Sequence, residues 1–259
     1  MCTLKRVLFV SCVVLGFSAA AFAQADWHGF YVGGNIGGAL HRSTANTSTS
    51  FSSSGYFAAS SVNSITIAGR QSMNNNTFTG GVEGGFNKQG ESLVFGVETD
   101  YAAMRMNVSK GNSLDYLCSA CAGTNFTVNQ SLQTRWLYTV RPRFGIASGP
   151  VFYYATIGMA LTKLNYQENF SDTFGPANGN AEFNKTKAGW IGGVGAAFRL
   201  PTERLSVKGE YLYTEFGRTT VDSNNLTAFT PPSTFPTNIF THSVAIHSHI
   251  LRGGVDYRW

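Results

Sequence analysis

Apolar and polar side chains alternate with a period of two in eight segments of this chain, as they do in β-strands with one apolar face. Turn residues or long polar stretches separate the segments. The predicted strands cover residues 28–42, 76–87, 92–108, 131–147, 151–166, 187–200, 205–217 and 241–259. The pattern therefore predicts an all-β chain.

The connections between the predicted strands alternate between long and short. Residues 88–91, 148–150 and 201–204 are tight polar turns, whereas the stretches rich in Ser, Thr and Asn are residues 43–75, 109–130, 167–186 and 219–240. Outer-membrane barrels have short periplasmic turns and longer extracellular loops. A soluble β-sandwich has no comparable reason to alternate long and short connections. The order predicts an eight-stranded antiparallel transmembrane β-barrel with four long extracellular loops and three short periplasmic turns.

Each predicted strand has one apolar, aromatic face and one face that is polar, small or charged. In the fourth strand the apolar face consists of Trp136, Tyr138, Val140, Phe144 and Ile146, and the polar face of Arg135, Thr139, Arg141 and Arg143. The apolar positions of the last strand change from even to odd numbers. Val244, Ile246 and Ile250 are at even positions, whereas the apolar residues from Leu251 to Trp259 are at odd positions. We therefore expect a β-bulge near residues 250 and 251.

The apolar face is predicted to contact lipid and the charged face to line the barrel interior. Aromatic residues cluster towards the strand ends, as in the girdles of membrane barrels. Charges of both signs suit an interior in which they can pair. The last strand also ends on aromatic residues, Tyr257 and Trp259.

The composition agrees with a lipid-facing β-structure. The chain has 29 Gly and 14% aromatic residues but only 13% charged residues, about half the charged fraction of a soluble domain. After residue 23 there is no apolar run long enough for a membrane-spanning helix. The formal net charge of +5 includes Lys5 and Arg6 of the leader. The remaining excess is small and evenly spread, which argues against nucleic acid as a partner.

The first 23 residues have the pattern of a cleaved signal peptide. Lys5 and Arg6 precede an apolar core, and the small-residue sequence Ala21-Phe22-Ala23 ends it. Cys12 follows the basic pair too closely to be a lipidation site. We expect a signal peptide at residues 1–23 and an outer-membrane barrel domain at residues 24–259.

Several motifs resemble the small outer-membrane immunogenic protein family of alphaproteobacteria, within the OmpA-type, porin-like barrel class. They are WHGFYVGGN at residues 27–35, VFGVETDY at 94–101, WLYTVRPRFG at 136–145, AGW at 188–190, VKGEYLY at 207–213 and the aromatic terminus. The resemblance implies an eight-stranded barrel in the outer membrane of a Gram-negative bacterium. It also implies a surface antigen, and in some members haemin binding.

The charges of the polar face are the main candidate site. They are predicted to form a network in the lumen, made of Glu83, Glu98, Asp100, Arg141, Arg143, Arg199, Lys208, Glu210, Arg252 and Asp256. Carboxylate pairs also serve acid/base catalysis. However, an eight-stranded barrel is only wide enough to be filled by its own side chains, so we expect a structural network and a lumen without a large pore.

Two smaller groups carry alternative interpretations. Cys118 and Cys121 lie in a predicted loop and are expected to form a local disulfide, with free or intermolecular thiols as the alternative. His247 and His249 lie two residues apart on one face of the last strand. They are candidate haem ligands, although histidines at such positions more often have no ligand. No metal site and no resident cofactor are expected.

Three functions are compatible with the sequence. The first is a structural outer-membrane protein whose exposed loops contact other surfaces; the second is a haemin or small-solute binding and uptake protein. The third is a lipid-modifying enzyme at the barrel rim, and no Ser, His and acid set with suitable spacing supports it. The expected partners are outer-membrane lipid, the barrel-assembly machinery during biogenesis, and a host or haemin ligand at the loops.

Overall fold

The computed structural model describes residues 25–201 and 204–259; the predicted signal peptide lies outside these residues. The described residues form eleven strands and one α-helix. The strands are β1 (Gly29–Thr49), β2 (Arg70–Ser72), β3 (Asn75–Gly90), β4 (Leu93–Asp115), β5 (Asn125–Ser148), β6 (Val151–Asp172), β7 (Asn178–Arg199), β8 (Leu205–Ser223), β9 (Thr227–Ala228), β10 (Ser233–Thr234) and β11 (Phe240–Arg258), and the helix is α1 (Ala59–Gly69).

Eight long strands close into an antiparallel ring in the order β1, β3, β4, β5, β6, β7, β8 and β11. The ring closes where β11 pairs with β1, from Tyr31 opposite Arg258 to Thr49 opposite Phe240. The predicted eight-stranded barrel is thus confirmed. Among the described residues, no helix has the length and apolar character needed to cross a membrane.

One seam of the ring is paired over only part of its length. β7 pairs with β8 from Trp190 to Arg199, while the rest of β7 continues to pair with β6. At the far end of β7, Asn178 pairs with Thr227 of the small strand β9. The loop before β11 therefore covers the top of the gap between β7 and β8.

Most of the long strands extend further than the hydrophobic alternation predicts at the end with the long loops, whereas β3 extends mainly at the short-turn end, to Gly90. β4, for example, continues to Asp115, where it pairs with Asn125 of β5. Most side chains of β4 beyond residue 108 are exposed, so no apolar face marks this part of the strand. The connections at this end shrink to residues 50–74, 116–124, 173–177 and 224–239.

At the opposite end the turns are tight, as predicted. β5 and β6 are joined through Gly149 and Pro150 only. Gly149 has a φ of +55°, in the left-handed region where glycine is favoured because it has no Cβ.

The apolar face lies outside and the charged face inside. Outward side chains such as Ile36 and Phe95 are 71% and 60% exposed, whereas Arg141 and Glu98 are buried. This orientation is the one that an outer-membrane barrel requires.

The prediction of a β-bulge near residues 250 and 251 is wrong. The register between β8 and β11 shifts between Ala245 and His247, where Gly217 of β8 has a φ of +63°. The extra residue therefore belongs to β8, and β11 keeps one phase through residues 250 and 251. Val244, Ile246 and Ile250 point inward and are buried.

The prediction that Arg135 points into the barrel is also wrong. The register of β5 with β6 shifts between Gln133 and Leu137, so Arg135 is exposed on the outside. Arg141 and Arg143 lie beyond this irregularity and keep the predicted inward direction.

Candidate functional site in the barrel interior

A charged layer fills the half of the barrel nearest the short turns. Of the predicted lumen charges, all except Arg199 are buried there: Glu83, Glu98, Asp100, Arg141, Arg143, Lys208, Glu210, Arg252 and Asp256. They come from β3, β4, β5, β8 and β11. We call this set the charged layer.

Glu98 is the central acid of the charged layer. It lies directly opposite Arg141 in the β4–β5 ladder, and its carboxylate accepts a hydrogen bond from that guanidinium. Arg143 Nη1 lies 3.0 Å and Lys208 Nζ 2.9 Å from Glu98 Oε2. One buried carboxylate thus contacts three cations, which compensates much of the cost of removing these charges from water.

Arg252 joins the other acids of the layer. Its Nη1 lies 2.7 Å from Asp100 Oδ2, and its Nε lies 2.9 Å from Glu210 Oε2. Asp100 in turn accepts a hydrogen bond from the Thr139 hydroxyl. These contacts connect strands on different sides of the barrel.

Neutral residues that the sequence analysis did not single out complete the charged layer. The hydroxyl of Tyr31 donates to Glu98 over 2.8 Å, and that of Tyr154 donates to Glu210 over 2.8 Å. Asn35 Nδ2 donates to Glu83 over 2.9 Å. The alternation could have indicated two of them, because Tyr31 and Asn35 are both at inward positions of β1.

The carboxylates of the charged layer have the spacing of a metal site. Ligand oxygens of Glu83, Glu98 and Glu210 all lie within 4.8 Å of one another. However, Lys208 Nζ lies 2.9 Å from an oxygen of both Glu83 and Glu98. The ammonium group therefore stands where a metal ion would bind, and the arrangement fits an internal ion-pair network better.

An apolar layer lies above the charged layer, towards the long loops. It includes Met104, Leu137, Leu212, Ile246 and Ile250, all almost fully buried. Inward side chains are therefore charged in one part of the barrel and apolar in the next. The apolar layer explains why β11 keeps one phase while its inward residues change from apolar to charged.

Trp27 closes the barrel at the end with the short turns. Its side chain is buried and packs on Phe152, with ring centroids 5.5 Å apart. The guanidinium groups of Arg199 and Arg258 lie 5.2 and 5.1 Å from the Trp27 ring centroid. Its backbone N–H donates to Gln89 over 2.6 Å. Arg199 thus belongs to this end of the barrel, where it also donates to the Asp26 carbonyl.

The long loops pack into an apolar cap over the other end. Phe57 and Ile65 from the first loop contact a buried cluster that contains Phe126, Phe170 and Phe240. The predicted long loop at residues 43–75 therefore includes a helix, because α1 begins at Ala59 and packs on β1, β4 and β5.

Two tyrosines fix the loops to the end of β6. Tyr56 and Tyr116 both donate to Asp172 Oδ2, over 2.8 and 2.5 Å. Burial, together with the hydrogen bond to Asp172, raises the pKa of both phenols above the usual range. Both therefore stay protonated and remain donors at neutral pH.

Cys118 and Cys121 are joined by a disulfide in the second loop, with Cα atoms 5.3 Å apart. Cys121 packs in the cap, and the Ser61 hydroxyl lies 3.7 Å from Cys118 Sγ. The disulfide thus lies beside α1 in the loop cap.

His247 and His249 lie on the outer wall, on the outward phase of β11. Nδ1 of His249 lies 2.7 Å from the Tyr211 hydroxyl, and the rings of His249 and Tyr213 have centroids 5.2 Å apart. Neither histidine lies in the lumen or in the loop cap. Haemin binding by this pair stays a prediction.

The terminal aromatics also face outward. Trp259 is 66% exposed and Tyr257 39%, and their ring centroids lie 6.0 Å apart. They lie at the level of the short turns, as residues of a periplasmic-side girdle would.

Comparison with known proteins agrees with this architecture. Residues 9–230 match the family described as outer membrane protein beta-barrel domain. The chain is 31% identical over 245 residues to the 31 kDa outer-membrane immunogenic protein of Brucella melitensis, covering 93% of this chain and 88% of the relative. It is 25% identical over 240 residues to the 25 kDa outer-membrane immunogenic protein of Brucella abortus, covering 86% and 89%. Among solved structures, the outer membrane protein OprG from Pseudomonas aeruginosa is 8% identical, with a TM-score of 0.47 and coverage of 90% of this chain and 98% of that one.

Proposed function

The chain belongs to the outer-membrane β-barrel family that includes the Brucella outer-membrane immunogenic proteins, and on that premise we propose a closed, structural barrel that presents its loops for contact with other surfaces. The protein is located in the outer membrane. The proposal assigns it neither a transport channel nor a reaction.

The charged layer is the main observation that supports a closed lumen. Arg141, Arg252 and Lys208 extend into the lumen from two sides of the ring and meet buried carboxylates. The apolar layer and the Trp27 contact add two further obstructions along the same path. A solute would have to break several buried ion pairs to pass, and each break leaves uncompensated charges at low dielectric.

Planar-bilayer recording tests the closed lumen. We expect wild-type protein to insert without large, stable conductance. The variant Trp27→Ala is the matched control, because it removes only the obstruction at the short-turn end and is expected to remain closed. Protein recovered from the same membranes must show heat-modifiable migration, which verifies that folded barrels were inserted. Stable large conductance from wild-type protein would contradict the proposal.

The loop-contact part is supported by apolar side chains that remain exposed on an ordered cap. Phe51, Leu117 and Phe229 are 56%, 67% and 46% exposed, and they lie in three different loops. Aromatic and apolar side chains on rigid surfaces are favoured as interface anchors. The partner class that fits is a surface with exposed apolar groups, such as a host-cell protein.

Adhesion of barrel-coated beads to host-cell monolayers tests this part. The triple variant Phe51→Ser, Leu117→Ser, Phe229→Ser is expected to lose most of the adhesion, whereas the single variant Lys110→Ser, in the exposed part of β4 near the long loops, is expected to keep it. Equal adhesion of the triple variant and the wild type would remove the loops from the proposal. A lipid- or peptide-hydrolysing activity abolished by one rim substitution would instead favour an enzyme.

The last part of the proposal concerns how the barrel is assembled in the membrane. The barrel-assembly machinery would bind the last strand, whose outward side ends in Tyr257 and Trp259. The variant Trp259→Ser is expected to reduce the heat-modifiable fraction in outer-membrane preparations. An unchanged fraction would show that the terminal aromatic is dispensable for assembly.

A further inference from the structure

Three exposed cations lie side by side on the outer wall, on three adjacent strands. Arg105 is on β4, Arg135 on β5 and Lys163 on β6. The pair Met106–Thr134 places Arg105 beside Arg135, and the pair Gln133–Asn165 places Arg135 close to Lys163. Neighbouring strands are about 5 Å apart, so the three side chains can reach one common group. We call them the basic triad.

The basic triad has no acidic partner among residues 25–201 and 204–259. None of its three cations belongs to any ion pair formed among these residues. Like charges on adjacent strands destabilise a sheet. An external anion that contacts all three cations would remove this repulsion.

The local backbone departs from regular pairing where the basic triad lies. The β4–β5 register shifts between Ala103 and Met106, and the β5–β6 register shifts between Gln133 and Leu137. Arg135, Arg141 and Arg143 are separated by even numbers of residues. In a regular strand Arg135 would therefore point into the lumen, as Arg141 and Arg143 do. Bulges redirect side chains and are often found beside functional sites. Here they bring the third cation to the outer wall.

The basic triad lies directly above the apolar belt of the barrel. On the same three strands, Tyr101 and Trp136 stack with ring centroids 6.1 Å apart, and Met159 is 63% exposed. Tyr and Trp on the outer wall mark the level where hydrocarbon meets the polar headgroups. The triad is towards the long loops from them, at the level of the outer-leaflet headgroups.

We propose that the basic triad binds the phosphate groups of the glycolipids that form the outer leaflet. The two guanidinium groups can each donate paired hydrogen bonds to phosphate oxygens, and the Lys163 ammonium adds a point charge. The acyl chains of the same molecule lie along Tyr101, Trp136 and Met159. Basic sites at a membrane surface recognise anionic lipid headgroups in this way. This inference goes beyond the proposed function, since it concerns the wall and neither the lumen nor the loops.

Native mass spectrometry of the folded full-length mature barrel in detergent micelles tests the proposal. The probes are lipid A with two phosphates, the same lipid after enzymatic dephosphorylation, and inorganic phosphate. We expect wild-type protein to retain diphosphorylated lipid A at least about tenfold more strongly than the dephosphorylated form, equivalent to about 1.4 kcal/mol. The variant Arg105→Gln, Arg135→Gln, Lys163→Gln is expected to lose this preference.

A second triple variant controls for net charge. Arg42→Gln, Lys110→Gln, Arg218→Gln also removes three cations, and they are on β1, β4 and β8, no two of which are neighbours in the ring; it is expected to retain lipid A like the wild type. Heat-modifiable migration of both variants verifies folding. Equal retention by the basic-triad variant and wild type would overturn the proposal, as would equal loss in the control variant. Saturation by inorganic phosphate, with no preference for lipid, would overturn the assignment to a lipid.

Discussion

Arg252 Nη1 lies 2.7 Å from Asp100 Oδ2, although the two residues are 152 positions apart in the sequence. Their strands, β11 and β4, are separated in the ring by β1 and β3. The contact therefore crosses the interior and connects parts of the wall that share no backbone hydrogen bonds. The charged layer therefore connects non-neighbouring strands through the interior.

Replacing Arg252 by Met is expected to lower the free energy of unfolding by about 3–5 kcal/mol, because Asp100 and Glu210 then keep buried charges without this cation. Urea unfolding in detergent micelles, followed by tryptophan fluorescence, measures the change. Adding Asp100→Asn to Arg252→Met is expected to recover part of the loss. The matched single variant Arg105→Met, on the exposed wall, should change stability by no more than about 0.5 kcal/mol. Additive losses in the double variant would contradict a direct pair.

The inward position of Ile250 beside the outward Leu251 predicts opposite spin-label behaviour at adjacent positions. Ile250 is 2% exposed and Leu251 69%. In a background with Cys118 and Cys121 replaced by Ser, a nitroxide at position 251 in lipid bilayers is expected to be relaxed strongly by dissolved oxygen. A nitroxide at position 250 should be weakly relaxed and immobile. Strong relaxation at both positions would restore the bulge that the sequence suggested.

Truncating Trp27 to Ala is expected to cost about 3 kcal/mol, because the ring is buried on Phe152 and lies beside two guanidinium groups. The urea midpoint of the folded barrel measures the loss. Trp259→Ala is the matched control, since that side chain is largely exposed, and its midpoint in micelles should shift much less. Equal shifts would mean that Trp27 is not docked in the barrel end.

Reduction of the Cys118–Cys121 disulfide is expected to loosen one loop without unfolding the barrel. The closed loop is very short, so the entropy that the bond removes from the unfolded chain is small. Mass spectrometry of unreduced protein should show a mass lower by about two hydrogen atoms than after reduction. Hydrogen exchange in residues 116–124 should then increase, with unchanged heat-modifiable migration. Loss of the folded band on reduction would contradict this account.

Replacing Tyr116 by Phe tests the attachment of the loops to Asp172. The hydroxyl donates to a carboxylate, so its loss is expected to cost about 1.5–3 kcal/mol of local stability. Hydrogen exchange of residues 173–177 reports it, because Asp172 also accepts from the N–H of Ala177. Tyr138→Phe, on the lipid-facing wall, is the control and should leave exchange in this loop unchanged.

Hydrophobic alternation predicts the barrel wherever one face meets lipid and the other meets the charged layer. Glu98 and Arg141 illustrate this, because their inward phase follows directly from apolar neighbours such as Val97 and Val140. Above the membrane the signal disappears. Residues 109–113 of β4 have water on both faces, so nothing in their hydrophobicity distinguishes a strand from a loop.

Other features depend on pairing that sequence periodicity does not encode. The phase of Arg135 depends on a register shift against β6, and the inward position of Ile250 depends on an apolar layer to which six other strands contribute. Trp27 precedes the first strand and has no alternation of its own. Its place became visible only with the positions of Phe152 and Arg258, which are more than a hundred residues away in the sequence.

The surface that receives Trp27 is assembled from Gln89, Phe152, Arg199 and Arg258, which belong to β3, β6, β7 and β11. No subset of consecutive strands provides it before β11 has met β1. The segment that precedes every strand in sequence can therefore reach its final position only after the cylinder has formed. We therefore expect Trp27 to become protected from solvent only after β11 has paired with β1.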